Sequence, residues 1–195
     1  MTSQRTQNAA VLCGLVAVAL FLVLYIIAMS LDSTYVFGKN YLSDLGVSDG
    51  AWAFNAAVIL TGLLLIPFSV LGLGPALGST IWAVTSKIVL VIAALFLVSV
   101  GVFTEDAGDI HGVVSYGFFL TMLVAFAFIV LALHRTKYLG ESGYGFTLLV
   151  LIFGLILLPM GGDPLSETLA VLGIIIWGFI MGCLLKLKMS GKSIP

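Results

Sequence analysis

Two short polar segments of the chain hold the side chains that could do chemistry. Ser43 and Asp44 stand side by side in the first segment, and Glu105 and Asp106 stand a few residues before His111 in the second. A carboxylate beside an imidazole can transfer protons, and several carboxylates with one imidazole can hold zinc or a harder divalent cation. Both segments lie between long apolar runs, so the elements that position them decide what they can do.

The spacing of these residues matches no established catalytic or zinc-binding motif. The chain has neither HExxH nor GxSxG, and its other histidine, His134, lies near the opposite end of its apolar run. A structural alternative is that Ser43 and Asp44 bond backbone groups in a tight turn, while His111 satisfies a carbonyl or pairs with Asp44. Three interpretations therefore stay open: a structural turn, a ligand site without chemistry, and a catalytic site with Asp44, Asp106 and His111 as candidate metal ligands.

Composition places the chain in the membrane. Of its 195 residues 61% are apolar and only 9% are charged, whereas soluble domains carry about 25% charged residues. The net charge of -1 and the scattered Lys and Arg residues argue against a nucleic-acid partner, which needs a basic stripe. Cys13 and Cys183 lie inside apolar runs without metal-ligand spacing, so they are interpreted as buried hydrophobes, and the sequence requires no cofactor.

Six apolar runs are long enough to cross the hydrocarbon core of a bilayer as helices. They cover residues 9–31, 51–71, 81–103, 110–133, 143–160 and 165–187. Ten-residue segments of alternating polarity, the pattern of a membrane barrel, do not occur. The sequence therefore predicts an all-α integral membrane protein, a six-helix antiparallel bundle that forms one transmembrane domain over residues 1–195.

The basic residues predict how this bundle is oriented. Six of the eight Lys and Arg residues fall on the side of the amino terminus, namely Arg5, Arg135, Lys137, Lys186, Lys188 and Lys192. Because cytoplasmic loops are enriched in Lys and Arg, both termini are predicted to be cytoplasmic, in the cell membrane. Most of the carboxylates then lie on the outer surface.

Three of those carboxylates stand where helices begin. Asp49, Asp109 and Asp163 precede the second, fourth and sixth runs, and Asp163 is followed by Pro164. An aspartate at this position typically accepts from the free N–H groups of the first turn and contributes about 1 kcal/mol. All three are predicted to be helix caps that need no ligand.

The other outer polar residues are predicted to form a pocket, which consists of Ser43, Asp44, Asn55, Glu105, Asp106 and His111. Our first hypothesis is a non-enzymatic membrane protein in which this pocket binds a lipid headgroup or an ion, or only holds the loops together. One alternative is an outward-facing, metal-assisted lipid hydrolase in which a metal-bound water is the nucleophile. Another is an accessory subunit of a larger membrane complex, so the expected partners are membrane lipids and other membrane subunits.

Short motifs in both polar segments resemble a known family. They are Ser-Asp-Leu-Gly at residues 43–46, Trp-Ala-Phe-Asn at 52–55, Gly-Val-Phe-Thr-Glu-Asp at 101–106, and His-Gly at 111–112 leading to Ser115. This pattern resembles the domain-of-unknown-function 998 family of six-helix membrane proteins, which is distantly similar to the eukaryotic Frag1/DRAM/Sfk1 group. The resemblance implies the six-helix topology, with Ser43, Asp44 and His111 as signature positions, and it implies no activity. Thr104 stands where the family tends to have proline, and Thr168 where many members have arginine.

Overall fold

The computed structural model describes residues 3–160 and 163–193, which form six long helices whose longest connection is residues 32–50. Each helix is long and apolar enough to cross a membrane: α1 is Gln4–Leu31, α2 Ala51–Leu77, α3 Ile81–Val102, α4 Asp109–Thr136, α5 Gly140–Leu157 and α6 Pro164–Met189. The prediction of an all-helical, multi-pass membrane protein is confirmed. Gly161 and Gly162, in the predicted connection before α6, lie outside the described residues.

The predicted helix boundaries differ most at the end of α2. Its apolar run was predicted to end at residue 71, but the helix continues to Leu77. Pro67 has no N–H to continue the regular bonding, and over Phe68–Leu73 the helix widens into a π-helix, so that the Gly74 N–H donates to the Ser69 carbonyl. This wider turn carries the chain through glycines and a proline that the sequence indicates as a connection.

Helices that are consecutive in the chain pack against each other, and α6 also contacts α1. Gly62 on α2 and Gly101 on α3 allow these two helices to approach closely. A Cβ atom on Gly62 would lie 2.8 Å from the Ala94 carbonyl oxygen, and one on Gly101 would lie 2.9 Å from the Asn55 carbonyl oxygen. Only glycine fits at these two positions, which allow the two backbones to meet.

A buried chain of hydrogen bonds joins α5 and α6 inside the apolar bundle. The Trp177 indole N–H donates to the Thr147 hydroxyl at 3.1 Å, and that hydroxyl donates to the Gly143 carbonyl at 2.8 Å. The Phe126 ring from α4 meets the Trp177 ring edge-on, with centroids 4.8 Å apart. Because a polar group without a partner is costly in lipid, this chain fixes how α4, α5 and α6 meet.

Hydrogen bonds tie both ends of the bundle. At the end that holds the start of α1, the Gln7 side chain donates to the Gly72 carbonyl at 3.2 Å, and Lys186 donates to Asn8. The opposite end consists of residues 32–50, residues 103–108 and the first turns of α4 and α6. We call it the acidic end, because Asp44, Glu105 and Glu167 meet there.

Candidate functional site

The first polar segment is a fixed turn at the acidic end. Residues Ser43–Val47 form a 3-10 helix in which the Asp44 carboxylate accepts from the Asn40 side chain at 3.1 Å and from the Tyr41 N–H at 3.0 Å. The Asn55 side chain donates to the Gly46 carbonyl at 2.9 Å. This bond ties the turn to the second turn of α2, so Asn55 has a structural role.

Glu105 brings the second polar segment against the first. It begins a 3-10 turn, Glu105–Ala107, and its carboxyl hydrogen-bonds the Asp44 carboxyl. Burial, followed by this hydrogen bond and the charge of Asp44, raises the pKa of Glu105 to about 7. Glu105 therefore takes up a proton at a higher pH than an exposed glutamate does.

Glu167 is a third carboxylate at the acidic end, and sequence reasoning did not include it among the site residues. It lies in the first turn of α6 and accepts from the Leu42 N–H at 2.7 Å, which joins the first polar segment to the last helix. Asp163 and Glu167 are four residues apart and so lie on one face of α6. This spacing was the signal in the sequence that could have identified Glu167.

Tyr25 and Tyr35 lie close enough to Glu167 to be affected by its charge. The hydroxyl groups of Tyr25 and Tyr35 lie 3.2 Å apart. Burial is the main reason that the pKa of Tyr35 is raised, and the hydrogen bond to Tyr25 and the charges of Glu167 and Asp44 raise it further. The field of the carboxylates thus extends beyond the residues that hydrogen-bond them.

His111 is held in one orientation by groups on α4 and at the end of α3. Its Nδ1 lies 2.7 Å from the Phe103 carbonyl oxygen, and its Nε2 lies 3.2 Å from the Ser115 hydroxyl. Because a carbonyl can only accept, Nδ1 donates, and in the neutral ring Nε2 accepts from Ser115. His111 and Ser115 are four residues apart, a spacing that the sequence shows but that was not used to predict this pair.

The residues proposed as metal ligands do not converge. Asp44 faces the backbone and side chain of its own loop, the exposed Asp106 accepts from the Thr104 hydroxyl, and both nitrogens of His111 have other partners. Across residues 3–160 and 163–193, no group of three or more His, Cys, Asp or Glu side chains is placed to hold a metal ion. The described geometry thus lacks the ligand set that the hydrolase hypothesis requires.

Of the three predicted helix caps, the structure shows one. Asp163 accepts from the N–H groups of Leu165 and Ser166 at 2.9 and 3.0 Å, and these backbone bonds, with that to Ser166 the strongest, lower its pKa. The N-cap of α2 is Gly50 rather than Asp49, so Asp49 is not a cap. Gly50 lies against the backbone of α1, where a Cβ would be 2.5 Å from the Ala28 carbonyl oxygen, so a residue with a side chain does not fit at the cap position.

The prediction for Asp109 was wrong for a related reason. The N-cap of α4 is Gly108, whose φ of 60° takes the chain through the left-handed region, so Asp109 is already the first helical residue. Its carboxylate still lies in the first turn, where it interacts favourably with the helix dipole.

A cavity of about 370 Å³ extends from the acidic end between α4, α5 and α6. Its volume lies within the range of roughly 300–1,000 Å³ that is typical of ligand sites. Polar side chains line its outer part: Ser43, Glu105, His111, Ser115, Ser166 and Glu167. Apolar side chains form its walls: Phe119, Met122, Leu123, Phe126, Phe153 and Leu157. Three predicted site residues, Ser43, Glu105 and His111, therefore line one cavity, whereas Asp44, Asn55 and Asp106 do not.

The cavity is elongated and opens sideways. Along α4 it reaches from His111 to Phe126, a distance of about 22 Å at a rise of 1.5 Å per residue. Phe126, in contact with Trp177, closes its inner end. Tyr116 and Leu158 line the cavity and are 59% and 48% exposed, so the cavity opens between α4 and α5 on the side of the bundle that faces lipid.

A family model described as "Protein of unknown function (DUF998)" matches residues 15–184. The chain belongs to the DUF998 family. The matched stretch begins within α1 and ends within α6, so all the residues that line the cavity lie inside the DUF998 region. The family resemblance in the two polar segments is confirmed, whereas the more distant similarity to the Frag1/DRAM/Sfk1 group stays a prediction. No curated protein and no solved structure matches the chain.

The site of this DUF998 protein combines two environments. Its walls offer aromatic and aliphatic surface over most of their length, and its polar groups are confined to the acidic end. A compact polar ligand would leave the walls uncovered, and a pure hydrocarbon would leave the polar groups without a ligand partner. An elongated molecule with one polar end satisfies both environments.

Proposed function

We propose that this DUF998 protein binds one membrane lipid in the cavity between α4, α5 and α6. A chain of the lipid lies along the walls between Phe119 and Phe126, and its headgroup lies at the acidic end beside Glu105 and His111. The observation that carries this proposal is the shape of the cavity, which is long, apolar along its walls and polar at one end.

The length and opening of the cavity support a lipid in particular. A distance of about 22 Å along α4 exceeds the hydrocarbon thickness of one leaflet, which is about 15 Å. The lateral opening between α4 and α5 allows a lipid to enter from the bilayer without leaving it. Apolar surface buried in this way contributes about 25 cal/mol per Å² relative to water, although a lipid that leaves the bilayer gains less.

The distribution of charge supports an orientation for the site. Arg5, Lys186 and Lys188 lie at the end of the bundle opposite the acidic end, as do Arg135 in the last turn of α4 and Lys137 directly after it. Because cytoplasmic segments are enriched in Lys and Arg, the proposal places both termini in the cytoplasm, the helices antiparallel, and the acidic end at the outer surface of the cell membrane. Association with other membrane subunits stays a prediction.

Native mass spectrometry of the full chain in detergent tests the proposal. The wild-type protein is expected to retain one lipid. In Gly173→Leu the new side chain would project beside Phe153, where a Cβ would lie 3.5 Å from the ring, and would fill the cavity. This variant is expected to lose the lipid.

Gly145→Leu is the matched control. Gly145 is also a helical glycine, but a Cβ there meets nothing within 4 Å, and it does not line the cavity. It should retain lipid as the wild type does. A wild-type protein without retained lipid, or equal lipid occupancy in the two variants, would contradict the proposal.

A further inference from the structure

The charged side chains at the polar end of the cavity carry one sign. Glu105, Asp163 and Glu167 line it, and Asp44 lies directly behind Glu105, to which it is hydrogen-bonded. The described lining residues include neither Lys nor Arg. A phosphate or carboxylate in this position would meet carboxylates without a cation to offset them.

The start of α6 offers no substitute site for an anion. Helix N-termini commonly bind phosphate through free N–H groups. Here the Asp163 carboxylate accepts from the Leu165 and Ser166 N–H groups, and the Glu167 N–H donates to the Asp163 carbonyl at 3.3 Å. The positive end of the helix is therefore already occupied by a carboxylate of the protein itself.

We infer that the polar end of the cavity selects a positively charged headgroup, so that the lipid it holds carries an ammonium group. This inference rests on the proposed function and adds the chemical class of the ligand. Glu105 and Glu167 would accept its N–H groups in charge-assisted hydrogen bonds. Tyr41 and Tyr116 also line this part of the cavity, and aromatic rings attract cations through their faces.

An ammonium group fits the arrangement better than a metal ion does. A divalent ion needs several ligands within about 2.6 Å of one point, and no such group exists among the residues that the structure describes. An ammonium group can bond acceptors that are spread around it, since each N–H points in a different direction. The lateral opening between Tyr116 and Leu158 indicates the bilayer as the source of this ligand.

Three amphiphiles with the same chain and different polar ends test the inference: dodecylammonium, dodecanol and dodecanoate. Their affinities for the full-length protein in a neutral detergent are measured by displacement of retained lipid in native mass spectrometry. Dodecylammonium should bind at least about tenfold more tightly than dodecanol, and dodecanoate should bind more weakly than dodecanol.

Two variants then assign the preference to the cavity. Glu105→Gln keeps the size of the side chain and removes its charge, and it should lower the affinity for dodecylammonium about tenfold. Asp106→Asn removes a charge from the adjacent position, which is exposed and does not line the cavity, and should change this affinity less than about twofold.

The possible failures are distinguishable. If dodecanoate binds as tightly as dodecylammonium, or if both variants have the same effect, the ammonium inference is wrong and the lipid site remains. If none of the three displaces lipid and Gly173→Leu retains as much lipid as wild type, the proposed function itself is wrong. The comparison of the three amphiphiles uses the wild-type protein, so it does not depend on the folding of a variant.

Discussion

The contact between α2 and α3 and the cavity between α4, α5 and α6 are both lined by glycine, but they differ in what each glycine faces. A Cβ on Gly62 of α2 would lie 2.8 Å from a backbone oxygen of α3. A Cβ on Gly173 of α6 would lie 3.5 Å from the Phe153 ring, and one on Gly112 of α4 would meet nothing within 4 Å. In the first region glycine brings two backbones together, and in the second Gly112 and Gly173 leave space.

This difference separates a structural region from a functional one. In lipid, where helices gain little from the hydrophobic effect, close packing is a principal source of association between them. The α2–α3 contact uses its glycines for that purpose. The walls of the cavity leave apolar surface uncovered by other helices, so a ligand can supply the contacts that the protein does not.

The largest expected effect comes from adding one methyl group to the tight region. Gly62→Ala should destabilise the protein by about 3 kcal/mol, because the new carbon would press on the backbone of α3, which cannot move as a side chain can. Thermal unfolding in detergent measures this change. Gly145→Ala, where the added carbon meets nothing within 4 Å, is the control and should leave the transition unchanged or slightly raised. Equal transitions in both variants would show that the α2–α3 contact is loose.

The second prediction concerns the pH dependence of stability at the acidic end. The pKa of Glu105 is raised to about 7, above that of an unfolded glutamate. Its stabilising contribution is therefore fully present below the unfolded pKa and is lost as the pH rises through about 7. Between pH 5 and pH 8 the wild type should lose between about 1 and 2 kcal/mol relative to Glu105→Gln, a range already reduced for the exposed part of this side chain.

Other titratable groups face the same space, so the comparison must be between variants. Asp44 and Glu167 act on Glu105 directly, and His111 and Asp163 line the same cavity. All four are present in Glu105→Gln, so the difference between the two pH profiles reports Glu105 together with its charge interactions with Asp44 and Glu167. Asp106→Asn should keep the wild-type profile. Parallel profiles for wild type and Glu105→Gln would mean that the pKa of Glu105 is not raised in the folded protein.

The fold could be predicted from the sequence because each spanning helix must satisfy its own backbone bonds and carry enough apolar residues to cross the bilayer. The six helices follow from these two requirements alone. The extension of α2 to Leu77 could not be predicted, since a π-helix after Pro67 depends on packing. The surroundings of a glycine also depend on packing, so the sequence alone does not distinguish Gly62, which faces a backbone, from Gly173, which faces the cavity.

The site could be predicted only in part. Ser43, Glu105 and His111 were identified by residue type, and they line the cavity. Glu167 was missed because its spacing from Asp163 places it on one face of α6 but does not show that the Leu42 N–H donates to it. The walls of the cavity could not be predicted at all, because Phe119 and Phe153 have the same type and periodicity as any core residues of a membrane helix.

The third prediction uses the three aspartates at helix starts. Asp163→Ala should cost about 1 kcal/mol, since it leaves two N–H groups of α6 without their acceptor. Asp49→Ala and Asp109→Ala should each change stability by less than about 0.5 kcal/mol, because neither side chain caps its helix. Thermal unfolding of the three variants measures the order. If Asp49→Ala or Asp109→Ala proved as costly as Asp163→Ala, the sequence-based prediction of three caps would be restored.

The smallest effect has the opposite sign and completes the comparison between the two regions. Gly173→Ala should stabilise the unliganded protein by about 0.5 kcal/mol, because the methyl group fits in ordinary contact with Phe153 and reduces the freedom of the unfolded chain. The same substitution at Gly62 is expected to destabilise. Since lipid binding adds stability to the folded state alone, the measurement is made after lipid removal and repeated with lipid. A loss of stability in delipidated Gly173→Ala would mean that α5 and α6 already meet closely there, and the cavity would then be too narrow for the proposed ligand.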